Sequence, residues 1–133
     1  MAERRSPLEL DPETFRALGH ELVDELTKLL EELQSPPSRS VVADQTPADV
    51  LAALGDTPLP EDGSPPDEVL REATQLVIRR SLFPGHPRFW GYVIGAPAPL
   101  GVLGDLLAAG VNPNVGAWPI APIATAIEQQ TVR

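Results

Sequence analysis

Aromatic rings set among glycine and proline make the wall of a small-molecule site, and this chain gathers them in one stretch. His86–Ala109 reads HPRFWGYVIGAPAPLGVLGDLLAA, and a second loop, Asn112–Trp118 (NPNVGAW), follows. Trp90 and Tyr92 pair an apolar body with a polar tip, which suits a pocket lining. His86 sits between Gly85 and Pro87 in a loop, and the aromatic residues around it favour a site role. It reads equally as a packing and hydrogen-bonding residue. Asp105 is the only ionised side chain between Gly91 and Ile127. It reads as a buried structural carboxylate at an interface or as an acid. Gly101 and Gly104 read as a face for close helix packing rather than as a phosphate cradle.

Other chemistry is missing. The phosphate-loop, dinucleotide, zincin and nucleophile-elbow patterns do not occur. With no cysteine, disulfides and thiolate metal sites are excluded. His20 and His86 are far apart, so no metal site is expected. Lys28, the single lysine, falls on the charged face of a helix and reads as a solvated charge.

These side chains must be positioned by helices. Asp11-Pro12 is a helix start, with Asp as cap and Pro in the first turn. Phe15, Leu18, Leu22, Leu26, Leu29 and Leu33 then form one apolar stripe, ended by Ser35-Pro36-Pro37. Residues 1–10 read as a loose lead-in, and Ser38–Gln45 as a linker with a short apolar centre at Val41-Val42. Thr46-Pro47-Ala48-Asp49 starts a short helix that Gly55 closes. After the Pro-rich connection 56–66, Ser64-Pro65 starts a third helix to about Arg80, with Val69, Leu70, Ala73, Leu76 and Val77 as its stripe. Phe89, Trp90, Tyr92, Val93 and Ile94 suggest a short extended segment. Pro99–Ala109 reads as an apolar helix capped by Gly110, and Pro122 opens another that is still in progress at Arg133. Long connectors and unequal helices do not favour a closed bundle. The stripes are expected to pack on another chain or a later domain, as the front end of something larger.

The 133 residues carry 16 prolines and a formal charge of −9. That charge argues against nucleic acid and anionic membranes as partners. The N-terminus lacks the apolar core of a signal peptide, and no apolar run reaches the roughly 18 residues of a spanning helix. A cytoplasmic protein is expected.

The run HPRFWGYVIGAPAPLGVLGDLLAAGVNPNVGAWPIAPIATAIE resembles the early segment of the group II pyridoxal-phosphate-dependent amino-acid decarboxylases. The resemblance rests on HPxFxxY, the small-residue loop, the LxDxL helix, the loop ending in Trp118, and the spacing of Pro122, Thr125 and Glu128. It implies a mostly α segment: a helical dimerisation arm over residues 1–82, then, over 83–133, the beginning of a type I pyridoxal-phosphate transferase α/β large domain. It also implies an obligate homodimer acting on a small-molecule amino-acid substrate, with pyridoxal 5'-phosphate as cofactor. Tyr92, Val93, Ile94 and Gly95 map onto the substrate-side loop, and His86, Asn114, Gly116 and Trp118 onto the lining of the cofactor pocket. Aromatic-amino-acid decarboxylases carry Phe-Pro-Thr where this chain has Val93-Ile94-Gly95. The family's cofactor lysine lies beyond residue 133, so no residue here is expected to be catalytic and the segment alone is expected to be inactive. A non-catalytic dimerisation module, or an independent binding domain built on Trp90–Tyr92, would fit the same composition.

Overall fold

The computed structural model describes residues 9–133 except 35, 57, 59 and 60. The lead-in expected over residues 1–10 therefore lies mostly outside the described residues. Five helices follow in order: α1 Pro12–Leu33, α2 Pro47–Leu54, α3 Pro66–Arg80, α4 Pro99–Val111 and α5 Pro122–Thr131. Among the described residues there is no strand. The mostly α expectation holds. The chain falls into two compact units, one reaching to Ala96 and the other Pro97–Arg133.

In the first unit the caps decide where helices begin. The Asp11 carboxylate accepts from the Glu13 and Thr14 amides at 3.0 and 2.9 Å and from the Thr14 hydroxyl at 2.6 Å. At α2 the capping is reciprocal. The Asp49 amide donates to the Thr46 hydroxyl at 3.3 Å, and the Thr46 amide donates to the Asp49 carboxylate at 2.7 Å. Orphan amides of the first turn are thereby satisfied. Replacing Thr46 by Ala is expected to destabilise the first unit by about 1 kcal/mol, measured as a lowered urea midpoint, whereas Asn should largely hold it.

Both capping carboxylates titrate below the ordinary aspartate value of 3.8. For Asp11 the Thr14 hydroxyl is the main cause, followed by the Thr14 amide; for Asp49 it is the Thr46 amide, followed by the Thr46 hydroxyl. A carboxyl whose pKa falls on folding stabilises the fold above 3.8, and that stabilisation disappears as pH drops through the lowered value. Helix content followed by circular dichroism is therefore expected to hold down to about pH 4 and to fall below it. Asp11→Asn should flatten that acid limb.

α1 packs against α3. Leu18 is buried and Leu22, Leu26, Leu29 and Leu33 are half-buried, as the stripe predicts. Phe15 stays exposed. On α3 the covered face is only partly the predicted one: Leu70 and Leu76 of the stripe are half-buried, as are Thr74 and Ile78, while Val69, Ala73 and Val77 are exposed. An open groove of about 260 Å³ runs between the two helices, lined by Glu21, Leu22, Lys28, Leu70 and Thr74 among others. So little apolar surface is shared that the two helices leave much of their stripes uncovered.

Three local expectations need correction. Pro65, not Ser64, occupies the capping position of α3, and no side chain caps it, because the second proline, Pro66, becomes the first helical residue. Gly110 does not end α4. The helix continues to Val111, and Asn112 takes the left-handed conformation (φ 48°, ψ 52°) with its amide on the Ala108 carbonyl at 2.8 Å. Asparagine tolerates that region, so the glycine two residues earlier remains helical. Finally, Phe89–Ile94 is not an extended segment. No neighbouring strand pairs with it among the described residues, and the backbone turns sharply at Tyr92, whose φ is 57°. In the second unit α5 spans Pro122–Thr131, with the Val132 amide on the Glu128 carbonyl.

Candidate functional site

The residues proposed from sequence fall into two loops, one in each unit. In the first unit Ser81–Pro87 closes as successive turns. The His86 amide donates to the Phe83 carbonyl at 3.1 Å, and the Phe89 amide to the His86 carbonyl at 2.8 Å. Phe83 and His86 are buried, His86 to 4 % exposure. Beyond this knot the chain leaves the surface. Trp90 is 92 % exposed and Tyr92 83 %. Val93, Ile94 and Gly95 are also exposed, and a Cβ built on Gly95 would meet nothing within 4 Å.

Tyr92 carries a positive φ that bulky residues rarely adopt, and its ring lies 6.4 Å from that of Phe89 with the planes tilted by 31°. A left-handed aromatic residue is a strained one, and such strain collects at binding loops. His86 differs from the loop it introduces: both ring nitrogens are engaged with backbone, Nε2 at 2.8 Å from the Arg39 carbonyl and Nδ1 at 3.0 Å from the Arg88 amide.

In the second unit the Asn114 side-chain oxygen accepts from the Gly116 amide at 2.9 Å, an Asx turn that shapes NPNVGAW. A Cβ on Gly116 would come within 2.9 Å of that same oxygen, so the turn needs glycine there. Trp118 follows, 54 % exposed. Asp105 lies on exposed α4, and no hydrogen bond ties its carboxylate to the chain among the described residues. Every residue from Trp90 to Ile120 is exposed, including Leu100, Leu103, Leu106 and Leu107 of α4. A helix that is apolar on every side ordinarily sits inside a larger body.

Sequence reasoning missed Arg39, which was read as linker. Its Nε donates to Glu32 of α1 at 2.6 Å, its Nη1 donates to the Ile78 carbonyl of α3 at 2.9 Å, and its guanidinium lies 5.2 Å from the centre of the Phe83 ring. Gln45 and Arg80 likewise exchange two hydrogen bonds at 2.9 and 3.0 Å. The Ser38–Gln45 connection is therefore bolted to α3. An arginine in a Ser/Pro-rich stretch, otherwise without basic residues, was the available signal.

For a pyridoxal-type cofactor the residues present do not suffice. A Schiff base needs a lysine free to lose its proton. Lys28 is exposed on α1 and bound to Glu25, whose hydrogen bond and charge raise the amine above its ordinary pKa. That stabilises the unreactive ammonium form, on a helix face with no aromatic wall nearby.

Comparison with known proteins shows what the chain is similar to. No family model matches the chain. Its fold resembles part of a decarboxylase domain: it superposes with a TM-score of 0.77 on the glutamate decarboxylase domain of a diaminobutyrate-pyruvate transaminase and L-2,4-diaminobutyrate decarboxylase from Vibrio parahaemolyticus. That match covers 97 % of this chain and 27 % of the other at 19 % identity, so it speaks for the fold alone. The sequence goes further. The chain is 32 % identical over 125 residues to the aromatic-L-amino-acid decarboxylase of Bacillus atrophaeus, covering 94 % of itself and 25 % of that protein. It is 32 % identical to the phenylacetaldehyde synthase of Petunia hybrida, covering 90 % of itself and 23 % of that protein. The tyrosine decarboxylase of Oryza sativa matches at 30 %, over 92 % and 23 % of the two chains. The chain is thus similar in sequence to aromatic-L-amino-acid and tyrosine decarboxylases. It spans about a quarter of their length. No helix among the described residues is long and apolar enough to cross a membrane.

Proposed function

We propose that this chain is the N-terminal segment of a cytoplasmic pyridoxal-phosphate-dependent decarboxylase of aromatic amino acids. In this reading residues 1–82 are an arm gripping the second subunit of an obligate homodimer, and residues 83–133 begin the α/β large domain. Tyr92, Val93, Ile94 and Gly95 form part of the substrate wall. Asn114, Gly116 and Trp118 line the cofactor pocket, and His86 supports the loop beside it. The cofactor, held by a lysine outside this chain, supplies the electron sink that decarboxylation requires. This segment supplies shape, exclusion of water and subunit contact, and by itself turns nothing over.

The observation that carries the reading is the exposure, in the second unit, of every residue from Pro97 to Ile120, with Asp105 as the one charge of that stretch. Such a surface is stable only when covered. The test is to express the full protein that carries this chain with pyridoxal phosphate and to follow release of carbon dioxide, amine and aldehyde from L-tyrosine, L-phenylalanine, L-tryptophan and L-DOPA. Turnover that is abolished when the chain's residues 83–133 are deleted supports the reading. A folded full protein that binds pyridoxal phosphate but releases carbon dioxide from none of the four, or that binds no cofactor, overturns it. The aldehyde arm is included because the Petunia relative is named a phenylacetaldehyde synthase.

A further inference from the structure

We infer that His86 is a two-ended positioning residue, which hooks the exposed Trp90–Tyr92 loop onto a hub held by α1 and α3. A backbone N–H can only donate, so Nδ1 is the acceptor for the Arg88 amide at 3.0 Å. The ring hydrogen therefore resides on Nε2, which donates to the Arg39 carbonyl at 2.8 Å, 47 residues away in the chain.

Each end of this bridge is itself fixed. Arg39 is tied through Glu32 to α1 and through the Ile78 carbonyl to α3, and it stacks over the Phe83 ring. Beside it the Phe83 amide donates to the Val41 carbonyl at 3.0 Å, a second stitch between the same two segments. At the other end, fixing the Arg88 amide sets the direction in which the backbone enters Phe89. The Phe89 ring in turn lies against Tyr92. The path from helix to loop thus runs Glu32, Arg39, His86, Arg88, Phe89, Tyr92. His86 is the only one of these that is buried, and among the described residues no other side chain bonds to both the connection after α1 and the loop.

This role places His86 behind the wall rather than in it. The assignment to substrate recognition rests on the decarboxylase reading; the bridge itself does not. Two substitutions separate its ends. Asn keeps an oxygen near the position of Nδ1, where it can accept from the amide two residues on as an Asx turn does. Gln keeps a donor near the position of Nε2, and Ala keeps neither.

The experiment is amide hydrogen exchange on the full protein carrying this chain, reading Phe83 and Arg88 in the wild type and the three variants. In His86→Ala both amides should exchange roughly three- to tenfold faster, the scale of one neutral hydrogen bond. In His86→Gln only Arg88 should speed up, and in His86→Asn only Phe83. Equal acceleration in all three variants, or none in Ala, overturns the proposal, since a general packing role would not distinguish the two ends. With an active wild type, His86→Ala should also raise KM for the amino acid roughly tenfold while kcat changes less. An unchanged KM overturns the link to the loop. Failure of the wild type to decarboxylate would count against the decarboxylase reading and leave the exchange result to decide the bridge.

Discussion

In the full protein that carries this chain, replacing Leu103 and Leu107 by aspartate should convert an assembled species into a monomer. The two residues stand four apart on α4 and share a face, and both are exposed. Burying a leucine contributes about 1.5–3 kcal/mol, so losing two from an interface removes about 3–6 kcal/mol, equivalent to roughly two to four decades in Kd. The new carboxylates would add a desolvation cost of the same sign. Sedimentation velocity at micromolar concentration reads the outcome. A double variant that keeps the wild-type sedimentation coefficient would show that α4 is covered by its own subunit or not at all. Asp105, already on this helix, sets the internal standard: Asp105→Asn should leave assembly intact or strengthen it.

Tyr92→Gly should separate stability from function. Holding a non-glycine residue in the left-handed region costs roughly 1–3 kcal/mol, and glycine adopts φ of 57° freely. The variant is therefore expected to melt at the same temperature as the wild type or a few degrees higher. Removing the ring from a substrate wall, together with its contact to Phe89, should at the same time lower kcat/KM by roughly a hundredfold. Differential scanning calorimetry paired with the decarboxylation assay checks both halves. A variant that loses stability and activity together would mean that Tyr92 is a structural residue whose backbone is under no strain. Tyr92→Phe keeps the ring and the strain and isolates the hydroxyl.

What could be read from the sequence was local chemistry. Asp11-Pro12 and Thr46-Pro47-Ala48-Asp49 announce helix starts because cap and partner lie within three residues, and the structure places α1 and α2 where those signals predict. The leucine stripe of α1 was legible for the same reason. The covered face of α3 was legible only in part: Leu70 and Leu76 of the stripe are half-buried, but Val69 and Val77 are as apolar as Ile78, and only the approach of α1 chooses between them. The end of α4 was a competition between Gly110 and Asn112, two residues that can both leave a helix, and it was settled by the backbone rather than by composition. The bridge from His86 to Arg39 spans 47 residues, and no periodicity reports such a distance. Of the candidate site, sequence could mark the loops and their aromatic residues; it could not tell that His86 turns inward while Trp90 and Tyr92 turn outward.

The two indoles have a practical use. The chain has two tryptophans, and they stand one in each candidate loop, Trp90 and Trp118, both facing water. Their emission is a built-in optical gauge: red-edged while the loops are bare, moving to shorter wavelength as each is shielded. Single Trp→Phe replacements would assign the colour change to one loop or the other, so the order in which the two surfaces become sheltered can be timed in a stopped-flow cell without attaching a dye.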